Sequence, residues 1–306
     1  MTAVGDDLER RGGARAGDAC PRLALVALLV YPVTMHDGQI HFISGLPRSG
    51  STLLSAILKQ NSRFRSKVTS PMLSMINAVM PTMSGGEFSS FFDDARRAAV
   101  YRGLFGAYYG QTSGQVVFDT NRLWTGKLAM LKSLYPTAKT ICCVRHPSWI
   151  LDSFERAFRR NPLRGNVATG YEPQPSMHAR LEGLVRSETG TVGLAWNALR
   201  DAWHSDQADG LIIVDYDRLI DQPDAVVAGL YDALGETPHP HDFTALAHDE
   251  PDYDEATGMP GLHTVRAKLE RIERPPCLPP ELFQKYETDL FWRTRSDAGG
   301  RGAAVL

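Results

Sequence analysis

The chain has little cysteine. Its 306 residues include four, none of them in a C-x-x-C pair, so neither a disulfide framework nor a thiolate zinc site is expected. Cys142 and Cys143 are adjacent in an apolar strand pattern, where successive side chains point to opposite faces and cannot chelate together. All four read as reduced thiols of a cytoplasmic protein. An excess of charge is missing as well: 33 basic residues stand against 35 acidic ones, for a formal net charge of −2. That balance gives no electrostatic case for a nucleic-acid partner. No hydrophobic run is long enough for a membrane span. The stretch Leu23 to Val33 has 11 apolar residues, well short of a crossing, and no clean small-residue cleavage site follows it as in a signal peptide. The polar Gly- and Arg-rich segment before it reads as disorder. Residues 1–34 are accordingly expected to be a dispensable extension, with translation starting at Met35.

What is present is enough apolar side chain, 43% of the residues, to bury one large core. A single α/β domain over 35–293, with a disordered tail over 294–306, fits that content better than two domains. The stretch around which the chain is organised is Ile40 to Leu54. An apolar run ends at Gly45, a tight loop turns on Pro47 and Gly50, and Leu53, Leu54, Ile57 and Leu58 then recur at helical spacing. A strand, a Gly-bounded loop and a helix N-terminus direct backbone amides and a positive dipole end at one point, which suits a phosphate. The loop is one residue away from the Walker A pattern, with Ser51 where the lysine belongs and Arg48 as its only cation. A strand–turn–helix corner that merely needs glycine is the plainer alternative.

Further strands are expected over Val68–Pro71, Val116–Asp119, Lys139–Val144 and Leu211–Asp215. Met72 to Met83 reads as a helix, either core or the wall of an acceptor pocket. The spacing Ser84-x-x-Glu87 predicts a capping box opening a helix that runs to Tyr109. Helices are also expected over 124–135, from Pro147 onward, over most of 177–205, and over 223–234. Residues 161–176 read as a mobile loop, and the acidic stretch His248 to Glu255 as a solvated loop rather than a metal site. Thr120, Asn121 and Arg122 follow a strand carboxyl end, the edge that faces ligand in open α/β sheets. Arg145 leaves the third of these strands and Ser153 lies eight residues on in the following helix, a guanidinium and a hydroxyl suited to a phosphate monoester. Arg156, Arg159, Arg160 and Arg164 read as a solvated basic face, or as help in holding an anion.

Gly45-Leu46-Pro47-Arg48-Ser49-Gly50-Ser51-Thr52-Leu53 resembles the 5′-phosphosulfate loop of sulfotransferases that use 3′-phosphoadenosine-5′-phosphosulfate (PAPS), in the form of the tyrosylprotein and bacterial branch. Arg145 to Ser153 has the spacing of their 3′-phosphate motif. The resemblance implies a three-layer, P-loop NTPase-like α/β fold with a central parallel sheet flanked by helices. It also implies metal-free sulfuryl transfer from PAPS, leaving adenosine-3′,5′-bisphosphate. Pro47, Arg48, Ser49, Gly50, Ser51, Thr52, Arg145, Ser153 and Arg266 are the implied cofactor-binding residues, with Lys268 a further candidate by position. Tyrosylprotein sulfotransferases carry a glutamate pair and a lysine where this chain has Thr69-Ser70-Pro71 and Thr120-Asn121-Arg122. The catalytic set is therefore expected to be Arg48 and Arg122 on the sulfuryl group, with Asp119 or His263 as base. The acceptor is expected to be the hydroxyl or amine of a small molecule (a secondary metabolite, sugar or lipid), and a homodimer stays open as the assembly. An ATP-dependent P-loop small-molecule kinase and a catalytically silent nucleotide-binding protein are the rival readings.

Overall fold

The computed structural model describes residues 39–306 except 111, 113, 167, 169–175, 289 and 295–298. The expected extension, the Met35 start and part of the 161–176 loop lie outside the described residues. Six strands form the sheet: β1 (Gln39–Gly45), β2 (Phe64–Ser66), β3 (Val116–Thr120), β4 (Thr140–Val144), β5 (Leu211–Asp215) and β6 (Ala304–Val305). They lie in the order β2-β3-β1-β4-β5-β6, with every pairing parallel. Parallel strands buried on both faces read as continuous apolar runs, and β1, β3, β4 and β5 do so.

Helices α1 (Ser51–Leu58), α2 (Met72–Ser84), α3 (Asp94–Tyr109), α4 (Leu128–Leu134), α5 (Pro147–Arg160), α6 (Met177–Val185), α7 (Thr191–His204), α8 (Tyr216–Asp221), α9 (Pro223–Leu234), α10 (Pro251–Ala256), α11 (Pro280–Lys285) and α12 (Phe291–Thr294) surround it. The pleat decides which layer each strand residue serves. Ile43, Ile141, Cys143, Ile212 and Val214 pack with α1 and α9 on one face. Cys142, Val144, Leu211 and Ile213 pack with α5, α6 and α7 on the other, where Ile40, Phe42 and Val117 meet α2, α3 and α4. The two adjacent cysteines thus face opposite layers. Among the described residues no helix is long and apolar enough to cross a membrane.

Three local expectations are corrected. The strand expected at Val68–Pro71 lies earlier, at Phe64–Ser66, where burial alternates while Val68 and Thr69 are half-buried; one large apolar residue in three gave the pattern little to register. The box at Ser84 caps nothing, because Ser84 is the last residue of α2. The cap of α3 is Asp93, whose carboxylate accepts from the Arg96 amide at 2.7 Å. Between them a 3₁₀ turn over Glu87–Phe91 leaves Phe88 and Phe91 exposed. The tail expected to be disordered supplies β6: the Leu306 amide donates to Ile213 at 2.8 Å and its carbonyl accepts from the Asp215 amide at 3.0 Å. A two-residue strand in a Gly- and Ala-rich segment carries no periodicity.

Candidate active site

Strand β1 has β3 on one side and β4 on the other, so the connections that leave these strands part around its carboxyl end. In open parallel sheets that switch point is where ligand crevices form. The turns after β1, β3, β4 and β5 bring Arg48, Arg122, Arg145 and Tyr216 to one cleft of about 720 Å³.

The β1–α1 loop fits closely against its neighbours. Gly45 has φ +110°, and a Cβ there would collide with the Cys143 backbone on β4. Gly50, at φ +95°, would put a Cβ 2.8 Å from the Tyr216 ring. Both positions need glycine for conformation and for space. Arg48 has a φ of 60°, a left-handed backbone that costs a non-glycine residue energy and concentrates at functional sites. Its Nε donates to Ser153 Oγ at 3.1 Å and its Nη1 to the Leu262 carbonyl at 2.5 Å. Burial, reinforced by the neighbouring Arg145, lowers its pKa to about 10. Ser49 is buried, with its hydroxyl on the Leu46 and Cys143 carbonyls, so its side chain serves the loop and only its backbone is free for an anion. Pro47, Gly50, Ser51 and Thr52 line the cleft.

Pro147 sits in the first turn of α5, where its fixed φ starts a helix and its missing N–H costs nothing. Arg145 lies just before it, its guanidinium 4.2 Å from the centre of the Tyr216 ring. Its buried Nε has no hydrogen-bond partner, and burial lowers its pKa. A desolvated, unpaired guanidinium is stabilised by an anion. Of the basic run that starts on α5 and continues past it, Arg156 bonds Asp152, Arg159 bonds Glu155, and Arg164 bonds Glu255.

Past α10, residues 259–277 cross the cleft as a strap without regular structure. Arg271 holds Asp221 at 2.8 and 2.6 Å, while Arg274 and the Cys277 amide hold the buried Asp152. His263, Arg266 and Lys268 on this strap line the cleft with Arg122. His263 Nδ1 lies 2.5 Å from Asp254 Oδ1, and its amide donates to Asp254 Oδ2 at 2.9 Å. Burial lowers the His263 pKa; Asp254 opposes that, and Arg48 and Arg122 add to it.

Asp119 does not belong with these groups. It is 0% exposed and accepts from Ser70 Oγ, Tyr109 OH and Trp124 Nε1 at 2.6 to 2.8 Å. Its oxygens are spent on β3's neighbours, which removes it from the candidate bases. Asp254 and Tyr216 were not marked as site residues by sequence. The Asp254–His263 pairing depends on a loop returning on itself, and the Tyr216 contact on the β5 register. Among the described residues no group of three or more His, Cys, Asp or Glu could hold a metal ion.

A family model described as the sulfotransferase family matches residues 41–240. Among solved structures, the sulfotransferase domain from the curacin biosynthetic pathway is 18% identical, covering 82% of this chain and 99% of that one at a TM-score of 0.48. The sulfotransferase domain of the Synechococcus PCC 7002 olefin synthase is 19% identical, covering 85% and 98%, with a TM-score of 0.42. Mouse sulfotransferase SULT7A1 complexed with PAP is 15% identical, covering 68% and 64%, with a TM-score of 0.40. No curated protein matches the chain.

Proposed function

The chain belongs to the sulfotransferase family, and from that premise we propose that it moves a sulfuryl group from PAPS to a small-molecule acceptor, leaving adenosine-3′,5′-bisphosphate. The observation that carries the donor assignment is the Arg48–Ser153 hydrogen bond of 3.1 Å. It joins the loop after β1 to the helix after β4, so two anion-binding elements line a single cleft. A nucleotide with phosphates at both 5′ and 3′ positions uses both elements, whereas ATP leaves the second without a ligand.

The residues fit such a donor. The amides of the Gly45–Thr52 loop and the start of α1 suit the 5′ group, and the unpaired Arg145 Nε with Ser153 suits the 3′ phosphate. When bound, PAPS supplies an activated sulfuryl group and a phosphate leaving group. Arg48 is the cation within the 5′ loop, and Arg122, after β3, lines the same cleft. Both stabilise charge that grows during transfer. His263 is the base, and the strap excludes water. The acceptor class is a secondary metabolite, sugar or lipid of a size matching a cavity of about 720 Å³. The described cysteines, Cys142, Cys143 and Cys277, are free thiols, which supports a reducing, cytoplasmic setting.

In the kinase reading Asp215 would hold magnesium. Its carboxylate is instead bound by Arg293 at 2.6 and 2.8 Å and by Trp292 at 3.0 Å. Calorimetric titration with adenosine-3′,5′-bisphosphate and, separately, with ATP plus magnesium tests the donor. Preferential bisphosphate binding is expected, and preferential ATP binding would sink the proposal. Transfer of label from PAPS to an acceptor panel then separates an enzyme from a silent nucleotide-binding protein.

A further inference from the structure

We propose that Asp254 is a positioning residue that holds His263 with its proton on Nδ1, leaving Nε2 to take the proton of an acceptor hydroxyl. The proposal rests on the sulfotransfer reading above and goes beyond it by fixing the tautomer, its cause and the atom that accepts the proton.

Asp254, on α10, is 0% exposed. Its two oxygens are divided between two donors of one residue: Oδ2 takes the His263 backbone amide at 2.9 Å, and Oδ1 takes ring Nδ1 at 2.5 Å. A carboxylate only accepts, so the ring nitrogen facing it carries the hydrogen. Nε2 then carries the lone pair, and among the described residues it has no hydrogen-bond partner. The charged and titratable groups facing the ring are Asp254 and Tyr253 from α10, Arg48 from the β1–α1 loop, Arg122 from the end of β3, and His248 from the segment before α10. Burial, aided by Arg48 and Arg122, disfavours a resting imidazolium, so the ring waits neutral. Asp254 then stabilises the cation that forms when the proton arrives.

The step balances. The acceptor O–H bond breaks and its hydrogen passes to Nε2; the oxygen's electron pair forms the new O–S bond; the bond from sulfur to the leaving phosphate oxygen breaks, and that oxygen keeps the pair. Imidazolium, the acceptor's singly charged sulfate ester and a bisphosphate of the same total charge as PAPS result, and the proton later leaves to solvent. The same geometry favours a hydroxyl over an amine. At neutral pH an aliphatic amine arrives as an ammonium ion, into a cleft presenting Arg48, Arg122 and Arg145, where the carboxylate beside His263, Asp254, is buried and fully engaged.

Asp254→Asn gives a sharp readout. The backbone amide of His263 cannot stop donating, so the new amide oxygen must turn to it. The new NH₂ then faces the ring, Nδ1 becomes the acceptor, and the hydrogen moves to Nε2. Long-range ¹H–¹⁵N spectra of the ¹⁵N-labelled full chain, saturated with adenosine-3′,5′-bisphosphate, read this directly, with the His263 signals identified by their loss in His263→Gln. The wild type is expected as the Nδ1–H tautomer. Asp254→Asn is expected as Nε2–H, with a titration midpoint about one pH unit lower and turnover reduced about 10²-fold or more. An Nε2–H wild type, or an Asp254→Asn spectrum and titration like the wild type, overturns the proposal. If Asp254→Asn does not fold, the wild-type tautomer alone decides. Failure of the wild type to bind the bisphosphate would count against the donor reading, while the tautomer would still be read from the free protein.

Discussion

Replacing Arg145 by alanine should separate ligand binding from stability. This guanidinium rests on the face of Tyr216 at 4.2 Å, worth ~1 kcal/mol, with a further attraction from Asp217 and Asp152. Against that stands a buried Nε with no partner, whose desolvation costs ~1 to 3 kcal/mol. The two nearly cancel, so Arg145→Ala should melt within a few degrees of the wild type, and no lower than Arg145→Lys. Bound to a 3′ phosphate, the same group gains charge-assisted hydrogen bonds worth about 1.5 to 3 kcal/mol. Adenosine-3′,5′-bisphosphate should therefore bind the alanine variant roughly 10- to 100-fold more weakly, while adenosine-5′-phosphate binds both proteins alike. Lysine keeps the charge without the planar fork and should fall between. Calorimetry with the two nucleotides, alongside thermal melts, measures every quantity. Bisphosphate affinity within three-fold of wild type in Arg145→Ala would refute the assignment, as would an equal loss for both nucleotides.

Arg48→Ala should lower turnover by ~10² to 10³ through loss of a cation at the developing charge, measured with labelled PAPS; an activity within a few-fold of wild type would remove Arg48 from the mechanism. Asp119→Ala should cost on the order of 3 kcal/mol in urea unfolding, because Ser70 Oγ and Trp124 Nε1 lose their buried acceptor. The same variant should leave bisphosphate affinity intact, since Asp119 does not reach the cleft. His41 is 2% exposed, and burial, aided by Lys139, lowers its pKa from 6.5 to about 4. The folded state thus prefers the neutral ring. The stability this lends is complete above pH 6.5 and is lost as pH falls toward 4, on the order of 3 kcal/mol in all. A His41→Gln variant should show a correspondingly flatter acid limb in denaturant midpoints between those pH values, and an unchanged limb would contradict the reasoning.

The 5′ loop was legible because everything it needs is contiguous: an apolar strand, two glycines at fixed offsets and a helix at once. That Arg145 and Ser153 would line one cleft was legible for a similar reason, eight residues on one turn and one helix. What escaped reading depends on where the chain returns. Asp254 lies in a stretch whose composition suggests solvated charge, yet a turn of the loop buries it against a histidine nine residues on. Asp119 had the right residue type at the right strand end, but its neighbours Tyr109 and Trp124 come from elements whose packing the sequence does not announce. Strand β6 offers two residues to a pattern that needs four or more. Arg160, read with its neighbours as one basic face, stands beside three arginines that each hold a carboxylate.

The contact between Gly45 and the backbone of Cys143 has a further consequence for the geometry of the cleft. Because it joins main chain to main chain, the separation between the turns that carry Arg48 and Arg145 is set by the spacing of adjacent strands, ~4.8 Å. The sheet acts as a caliper whose jaws are the turns after β1 and β4. Side chains on either jaw can be changed without disturbing that gauge. A larger residue at Gly45 would spread the jaws themselves, and the sheet would no longer fix the distance between the turns that carry Arg48 and Arg145.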